Sequence, residues 1–134
     1  MLYPQITLNV LDNSGVREVR CVHIKNKRYA NNGVVGSVFV GVVQAMKNQT
    51  NKQQKFKKGQ LVAGLFTGSK KETSLNMYST GFYAKYSQNY CVLLDIKSFR
   101  KNQKNLGSRS QGAVSFIIKQ KGFYKAYSLF DNYF

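Results

Sequence analysis

Acidic side chains are scarce in this sequence. Five Asp and Glu residues stand against 21 Lys and Arg residues among 134, which gives a formal net charge of +16 at pH 7. A domain with so little negative charge repels itself unless a polyanion neutralises it. Nucleic acid is the commonest such polyanion, and an anionic membrane surface is the next. The sequence contains no evident basic amphipathic helix, so we expect nucleic acid as the partner.

Long apolar runs are also missing. No run of about 18 apolar residues occurs, so we expect no membrane span. The opening MLYPQITLNV has no basic region before an apolar stretch and is not rich in Arg and Ser, so neither a secretory signal nor a transit peptide is expected. We expect one folded domain over residues 1–134, beginning almost at Met1.

Groups that catalyse reactions or bind metals are too few to form a convincing site. Acid–base chemistry usually needs two positioned proton carriers, or one with a matched carboxylate, and His23 is the single histidine. Glu18 and Glu72 lie among basic residues, where surface ion pairing is favoured. Cys21, His23 and Cys91 offer only three zinc ligands, so buried free thiols are favoured. We predict no enzyme activity, cofactor or metal.

Short apolar or alternating segments, with little helical periodicity, make up much of the remainder. Ile6, Leu8 and Val10 alternate with polar residues, and Asp12 to Gly15 (DNSG) is a turn signal. The other predicted strands are REVRCVHIK, with Val19, Cys21 and His23 on one face, then VVGSVFVGVVQAM, GQLVAGLFTGS, FYAKY, YCVLLDI and AVSFIIK. GFYKAYSLF fits a short helix or an edge strand. Six or seven short strands predict an all-β barrel.

Polar, lysine-rich loops separate these strands. Two of them are long and basic, at residues 47–58 and 95–106, and we expect the first to be exposed and mobile. Four aromatic residues lie within or beside basic loops, namely Tyr29, Phe56, Tyr78 and Phe99. Each could stack on an exposed base, worth about 1–3 kcal/mol, or fill a gap in its loop. Gly41 and Gly64 are interpreted as strand bends.

Six segments carry a resemblance to a known family. In chain order they are LNVLDNSGVREVRC, KRYA, KKGQLV, NYCVLLD, LGSRSQGAV and FYKAYSLF. Each resembles a motif of the universal large-subunit ribosomal protein number fourteen, and the order is the same from near residue 5 to residue 130. One segment alone is weak support, but six in order are specific.

The resemblance implies a small five-stranded β-barrel with a protruding β-hairpin and a short C-terminal helical segment. It implies a structural role in the large ribosomal subunit, bound to its rRNA near the intersubunit face. It further implies contact with small-subunit rRNA in an intersubunit bridge and packing on neighbouring large-subunit proteins, notably number nineteen. A ribosome-silencing factor is a further implied partner.

The expected rRNA-binding residues are mostly basic positions that match basic positions of the family, while Arg20 rests on local charge alone. They are Arg17, Arg20, Lys27, Arg28, Tyr29, Lys57, Lys58, Lys70, Lys71, Lys85, Arg109, Lys119 and Lys125. Arg109 is the first choice for a bidentate phosphate contact, because Gly107 lets the backbone approach. For Arg17 the alternative is a surface ion pair with Glu18 or Asp12.

Residue bias bears on the source of the chain. Proline occurs once and tryptophan never, whereas Asn, Lys, Tyr and Phe are abundant, as expected of an AT-rich genome. With the enlarged basic loops and no expected import sequence, this bias favours a mitochondrial ribosome and an organelle-encoded protein; a plastid or bacterial cytoplasm is the alternative. The alternative functions are a free-standing single-stranded nucleic-acid-binding barrel and, third, a basic nuclease.

Overall fold

The computed structural model of the protein describes residues 1–25, 32–48, 55–71, 86–96 and 104–133. Its strands are β1 (Thr7–Val10), β2 (Val16–Ile24), β3 (Val38–Met46), β4 (Leu61–Gly68), β5 (Tyr90–Leu94), β6 (Ser110–Val114) and β7 (Phe130–Tyr133). Two short helices, α1 (Ile117–Gln120) and α2 (Tyr124–Tyr127), lie between β6 and β7. No helix in these ranges is long and apolar enough to cross a membrane.

Strands β1 to β5 form a closed barrel in chain order. Neighbouring strands pair antiparallel, except that β1 and β5 close the barrel as a parallel pair, with Asn9 opposite Tyr90 and Val10 opposite Cys91. Closure satisfies the hydrogen-bonding groups that a sheet edge would leave free. The predicted all-β, five-stranded barrel is therefore confirmed. Of the expected hairpin loop SKKETSLNMYSTG, residues 69–81, all but the first three residues lie outside the described ranges, as does most of the predicted strand FYAKY.

The barrel interior is filled mainly by aliphatic and aromatic side chains. Leu8 and Val10 of β1 are buried, as their alternation with polar residues predicts. Phe39 is fully buried and lies against Gly64, where a Cβ atom would come 2.5 Å from the ring carbon Cζ. A Cβ at Gly41 would come 2.7 Å from the carbonyl oxygen of Arg20. Close packing across the barrel, and not only strand bending, therefore explains both glycines.

Strand β2 does not keep the strict alternation that the sequence predicts. Its pairing with β3 passes from Cys21 opposite Gly41 to His23 opposite Val40, so Val22 is an extra, bulged residue. Val22 and His23 are both exposed, and Ile24 is buried in their place. The prediction that His23 shares a face with Val19 and Cys21 is wrong, because the bulge reverses the alternation after Cys21.

The C-terminal unit comprises β6, α1, α2 and β7, residues 110–133. Its start differs from the predicted last strand. AVSFIIK is extended only to Val114, the last residue of β6, and the chain then turns into α1. The carbonyl of Ser115 accepts a hydrogen bond from the backbone N–H of Ile118, which closes the first turn at 3.1 Å. Ile118 is then fully buried. β-Branched residues suggested a strand, but burial of Ile118 in a helical turn overrides that weak preference.

GFYKAYSLF contains helix α2, and its last residue begins β7. β6 and β7 form a separate two-stranded parallel sheet. This unit is tied to the barrel by a hydrogen bond from the backbone N–H of Gln111 to the carbonyl of Leu11, at 3.1 Å. The Nζ of Lys121 also donates to the carbonyl of Val35, at 2.5 Å. The C-terminal unit is thus fixed against the barrel.

The packing of Phe39 on Gly64 gives a stability prediction. Gly64→Ala forces a methyl group into the ring, and we expect a loss of about 1–3 kcal/mol in the free energy of unfolding. When Phe39 is already replaced by leucine, Gly64→Ala should cost less free energy of unfolding than it does in the parent. The smaller leucine side chain leaves room for the added methyl group. Urea unfolding of the four proteins measures this coupling. Additive effects of the two changes would contradict the predicted contact.

Candidate nucleic-acid interface

The DNSG turn joins β1 to β2, as predicted, and its first residue is buried. The carboxylate of Asp12 accepts two backbone hydrogen bonds, from Ser14 at 3.0 Å and from Leu93 of β5 at 2.7 Å. The first is a local turn bond, and the second joins the turn to a strand 81 positions away. Gly15 has a φ of 91°, a conformation that favours glycine. Asp12 therefore fixes both the shape and the position of the turn.

Asn13 of the same turn holds the segment that precedes β6. Its Oδ1 accepts from the backbone N–H of Ser108 at 2.9 Å and of Arg109 at 3.4 Å, and its Nδ2 donates to Ser108 Oγ at 2.9 Å. The backbone N–H of Asn13 donates to the carbonyl of Arg109 at 3.1 Å. A Cβ at Gly107 would come 2.7 Å from the Cβ of Asp12. The segment Gly107–Arg109, called GSR below, therefore needs glycine at its first position to dock on the DNSG turn.

This docking fixes the backbone of Arg109 and leaves its side chain 75% exposed. The guanidinium Nε lies 3.9 Å from Oδ2 of Asp131 on β7, which is itself exposed. An ion pair this long and this exposed contributes little, so it does not occupy the guanidinium fork. Arg109 thus has the fixed backbone and available donors that a bidentate phosphate contact needs.

A second cation contacts the turn from the other side. Lys47 follows β3, and its Nζ donates to the carbonyl of Asp12 at 2.7 Å. Its backbone N–H also donates to the carbonyl of Gly15, at 2.9 Å. Lys47 was expected only as the first residue of a basic loop and not as a site residue. No signal in the sequence distinguishes it from the following lysines, because its role depends on β3 ending beside the turn.

Arg17 lies in a second bulge of β2. The pairing passes from Val16 opposite Met46 to Glu18 opposite Ala45, so both Arg17 and Glu18 face outwards. The guanidinium of Arg17, 63% exposed, donates to Glu18 Oε1 through Nε at 3.1 Å and Nη2 at 2.9 Å. The surface pair offered as the alternative for Arg17 is therefore present, with Glu18 and not with Asp12.

Beside this pair, a shallow polar groove of about 330 Å³ runs over β1 and β2 to the segment before β5. It is lined by Thr7, Asn9, Glu18, Lys70, Gln88 and Asn89. Asn9 donates a side-chain hydrogen bond to Gln88, and the Oδ1 of Asn89 accepts from the backbone N–H of Lys70 at 2.9 Å. Lys70 thus lines the same groove as Glu18, the ion-pair partner of Arg17. Lys71 follows Lys70 in the sequence, and Arg20 stands opposite the groove residue Thr7 in the strand pairing.

Lys57 and Lys58 lie on a different turn, between β3 and β4. The turn is closed by a hydrogen bond from the backbone N–H of Gln60 to the carbonyl of Lys57, at 3.1 Å, and both lysines are exposed. Phe56, just before them, is buried in the core. Of its two possible roles, the structure supports filling a gap beneath the loop over stacking on a base.

Lys119 and Lys125 belong to the C-terminal helices and are exposed. Lys119 lies over two aromatic rings, with its Nζ 5.6 Å from the centroid of Phe116 and 5.8 Å from that of Tyr127. The remaining predicted site residues, Lys27, Arg28, Tyr29 and Lys85, lie outside the described ranges, as do Tyr78 and Phe99.

The chain is similar to known ribosomal proteins over nearly its whole length. The family model for ribosomal protein L14p/L23e matches residues 1–133. The chain belongs to this family. It is 31% identical over 132 residues to the large ribosomal subunit protein uL14c of Jasminum nudiflorum, a match that covers 96% of each sequence. As a member of the L14p/L23e family it is a structural constituent of the large ribosomal subunit, and this family is not enzymatic.

The two cysteines of the chain are core residues. Cys21 and Cys91 are both free and fully buried. Burial raises the pKa of the Cys21 thiol to about 11. Burial also raises the pKa of the Cys91 thiol, and the charges of Asp12 and Cys21 raise it further. Both thiols are therefore protonated and unreactive at neutral pH. Within the described residues no group of three His, Cys, Asp or Glu side chains could hold a metal ion.

The buried acceptor of the DNSG turn gives a second stability prediction. Asp12→Ala leaves the buried backbone N–H of Leu93 without an acceptor, and we expect a loss of about 2 kcal/mol in the free energy of unfolding. Urea unfolding at fixed pH and salt measures it. Asp131→Ala, the same change at an exposed carboxylate, is the matched control and should have little effect. Equal losses for the two variants would show that the Asp12 contacts do not stabilise the fold.

The thiols give a prediction about reactivity. At pH 8 we expect Ellman's reagent to label neither Cys21 nor Cys91 in the folded protein, because the thiolate is the reactive form and its fraction falls as the pKa rises. In guanidinium chloride both thiols should react. Raising the pH towards 11 should begin to ionise the Cys21 thiol and so to increase its reactivity, because burial raises the pKa of Cys21 to about 11. Rapid labelling of the native protein at pH 8 would contradict the burial.

Proposed function

We propose that the chain acts in the large subunit by binding its rRNA near the intersubunit face, through phosphate contacts. The docking of the GSR segment on the DNSG turn carries this proposal, since it holds the backbone of Arg109 while the guanidinium remains available. Lys47 supports it with a second positive charge at the same turn. Arg109 and Lys47, which come from different segments of the chain, are thus both held by contacts to the DNSG turn.

The energy of such binding comes mainly from phosphate neutralisation. Each Lys or Arg that pairs with a phosphate releases condensed counterions, so affinity falls as the salt concentration rises. Arg109 adds a planar fork that matches two phosphate oxygens, which a lysine cannot do. Arg17 contributes less under this proposal, because Glu18 already neutralises part of its charge. The other proposed contacts are Arg20, Lys27, Arg28, Tyr29, Lys57, Lys58, Lys70, Lys71, Lys85, Lys119 and Lys125.

The further partners remain those that the family resemblance implies. We propose that the chain contributes to an intersubunit bridge by touching small-subunit rRNA, and that it packs on neighbouring proteins including number nineteen. A ribosome-silencing factor is proposed as a transient partner. The exposed C-terminal unit, which is fixed against the barrel through Gln111 and Lys121, offers surface for such protein contacts.

We propose a mitochondrial ribosome as the location, supported by the residue bias and the basic loops. The relative from Jasminum nudiflorum is a chloroplast protein, which is consistent with the plastid alternative. Organelle fractionation distinguishes the mitochondrial location from the plastid location. Sedimentation of the chain with the large subunit from purified mitochondria would support the proposal, and its recovery only from plastid ribosomes would replace it.

Arg109 provides the test of rRNA binding. We expect Arg109→Ala to reduce incorporation into the large subunit and to lower the slope of log affinity against log salt by about 1, because one phosphate contact is lost. Gradient sedimentation of tagged protein and salt titration of rRNA binding measure the two effects. Arg109→Lys should restore the slope but only part of the affinity, since the fork is absent.

Lys55→Ala is the matched control, because Lys55 is exposed and is not among the proposed contacts. Its effect on incorporation should be smaller than that of Arg109→Ala. Circular dichroism must show that each variant keeps the folded barrel. Normal occupancy and an unchanged salt slope for Arg109→Ala would refute the assignment of Arg109 as a phosphate contact.

A further inference from the structure

Three aromatic rings meet on the C-terminal unit, each from a different segment. Phe116 precedes α1, Tyr127 ends α2 and Tyr133 ends β7. The rings of Tyr127 and Tyr133 are stacked, with centroids 4.5 Å apart and planes inclined by 22°. Phe116 meets Tyr127 edge-on, at 6.5 Å and 83°. We call these three residues and Lys119, whose Nζ lies over two of the rings, the aromatic cluster.

The two outer rings of the aromatic cluster are open to solvent. Phe116 is 47% exposed and Tyr133 is 51% exposed, while Tyr127 is partly buried between them. An isolated exposed aromatic residue needs no explanation, but contiguous exposed rings indicate a binding surface. Tyr127 stacks on one face of Tyr133, and about half of the Tyr133 surface remains exposed to a further planar group.

Buried anchors hold the aromatic cluster in place. Ile118 of α1, Ala126 of α2 and Phe130 of β7 are each fully or nearly fully buried, one on each contributing element. The rings are therefore ordered before any partner binds, which lowers the entropic cost of binding. A surface prepared in this way differs from aromatic residues on a loop, which must be ordered by the partner.

The charge around the aromatic cluster favours RNA over a protein as the occupant. Neither C-terminal helix has an acidic residue in its first turn, and each has a lysine in its last turn, Lys119 and Lys125. The acid that shares β7 with Tyr133 is Asp131, which faces Arg109. Exposed rings beside cations suit a base and its phosphate, because the π-face accepts the base and the ammonium pairs with the anion.

We propose that the aromatic cluster is a stacking platform for an unpaired RNA base, with Lys119 at the adjoining phosphate. This inference rests on the proposed rRNA binding and adds to it a place where a base, and not only the backbone, is contacted. Because every base has a π-face, the platform selects an unpaired nucleotide and not a particular sequence. It therefore recognises a bulge, loop or strand end in the rRNA.

Fluorescence of 2-aminopurine tests the platform. The probe is a short single-stranded RNA with one 2-aminopurine, added to the full chain, because emission of this base is quenched when it stacks. We expect quenching by the parent protein and binding on the order of tenfold weaker for Phe116→Leu and Tyr133→Leu. Tyr133→Phe keeps the ring and should bind like the parent. Tyr124→Leu, the same change at an exposed ring outside the aromatic cluster, should also have little effect.

The outcomes separate this inference from the proposed function. Parent-like quenching by both leucine variants, with salt-dependent RNA binding retained, would overturn the platform and leave the phosphate contacts standing. Absence of salt-dependent binding by the parent itself would overturn the proposed function and this inference together. Thermal unfolding of each leucine variant checks the fold, and Phe116 and Tyr133 are exposed enough for leucine to be tolerated.

Ultraviolet cross-linking in intact large subunits tests the same surface without variants. Irradiation followed by tryptic digestion should give a nucleotide adduct on the peptide of residues 110–119, which contains Phe116. Absence of a nucleotide adduct on that peptide, while other peptides of the chain in the same sample carry such adducts, would reject the proposal.

Discussion

The carboxylate of Asp12 is the constraint on which the rest of the architecture depends. One oxygen shapes the β1–β2 turn through Ser14, and the other accepts the buried N–H of Leu93 in β5. A buried carboxylate that accepts backbone hydrogen bonds is costly to remove, because its donors would be left unpaired. With the turn held in this way, Asn13 can dock the segment before β6. The DNSG turn therefore contacts both β5, through Asp12, and the segment that leads into the C-terminal unit, through Asn13.

The same turn connects fold to function. Docking on Asn13 holds the backbone of Arg109 at the same turn whose Asp12 carbonyl accepts a hydrogen bond from Lys47. Cations placed by backbone contacts lose little freedom when they meet phosphates, whereas cations on flexible loops must be ordered first. This difference separates the cations at the turn from the many other lysines of the chain. Under the proposed function, the strongly basic composition supplies affinity for RNA and the fixed positions supply a defined orientation.

The barrel was predictable from the sequence, because alternation in β1 and the apolar runs of β3 to β5 fit the pattern of a small closed sheet. The positions of His23 and of the residues after Val114 were not predictable in this way. In both places the error has a tertiary cause, a bulge that reverses the alternation of β2 and a helical turn that buries Ile118. Neither feature has a local signature, because both depend on what the neighbouring strand or the core provides.

The sequence by itself determined the charge, the barrel and the family, since composition, short-range alternation and ordered motifs are properties of the linear chain. Only the tertiary structure decided which residues form surfaces. It brought GSR onto DNSG, added Lys47 to the turn and paired Arg17 with Glu18. It also assembled Phe116, Tyr127 and Tyr133, which are spread over three elements. Contacts between distant segments depend on how the barrel closes and how the C-terminal unit packs on it, and linear spacing does not encode that geometry.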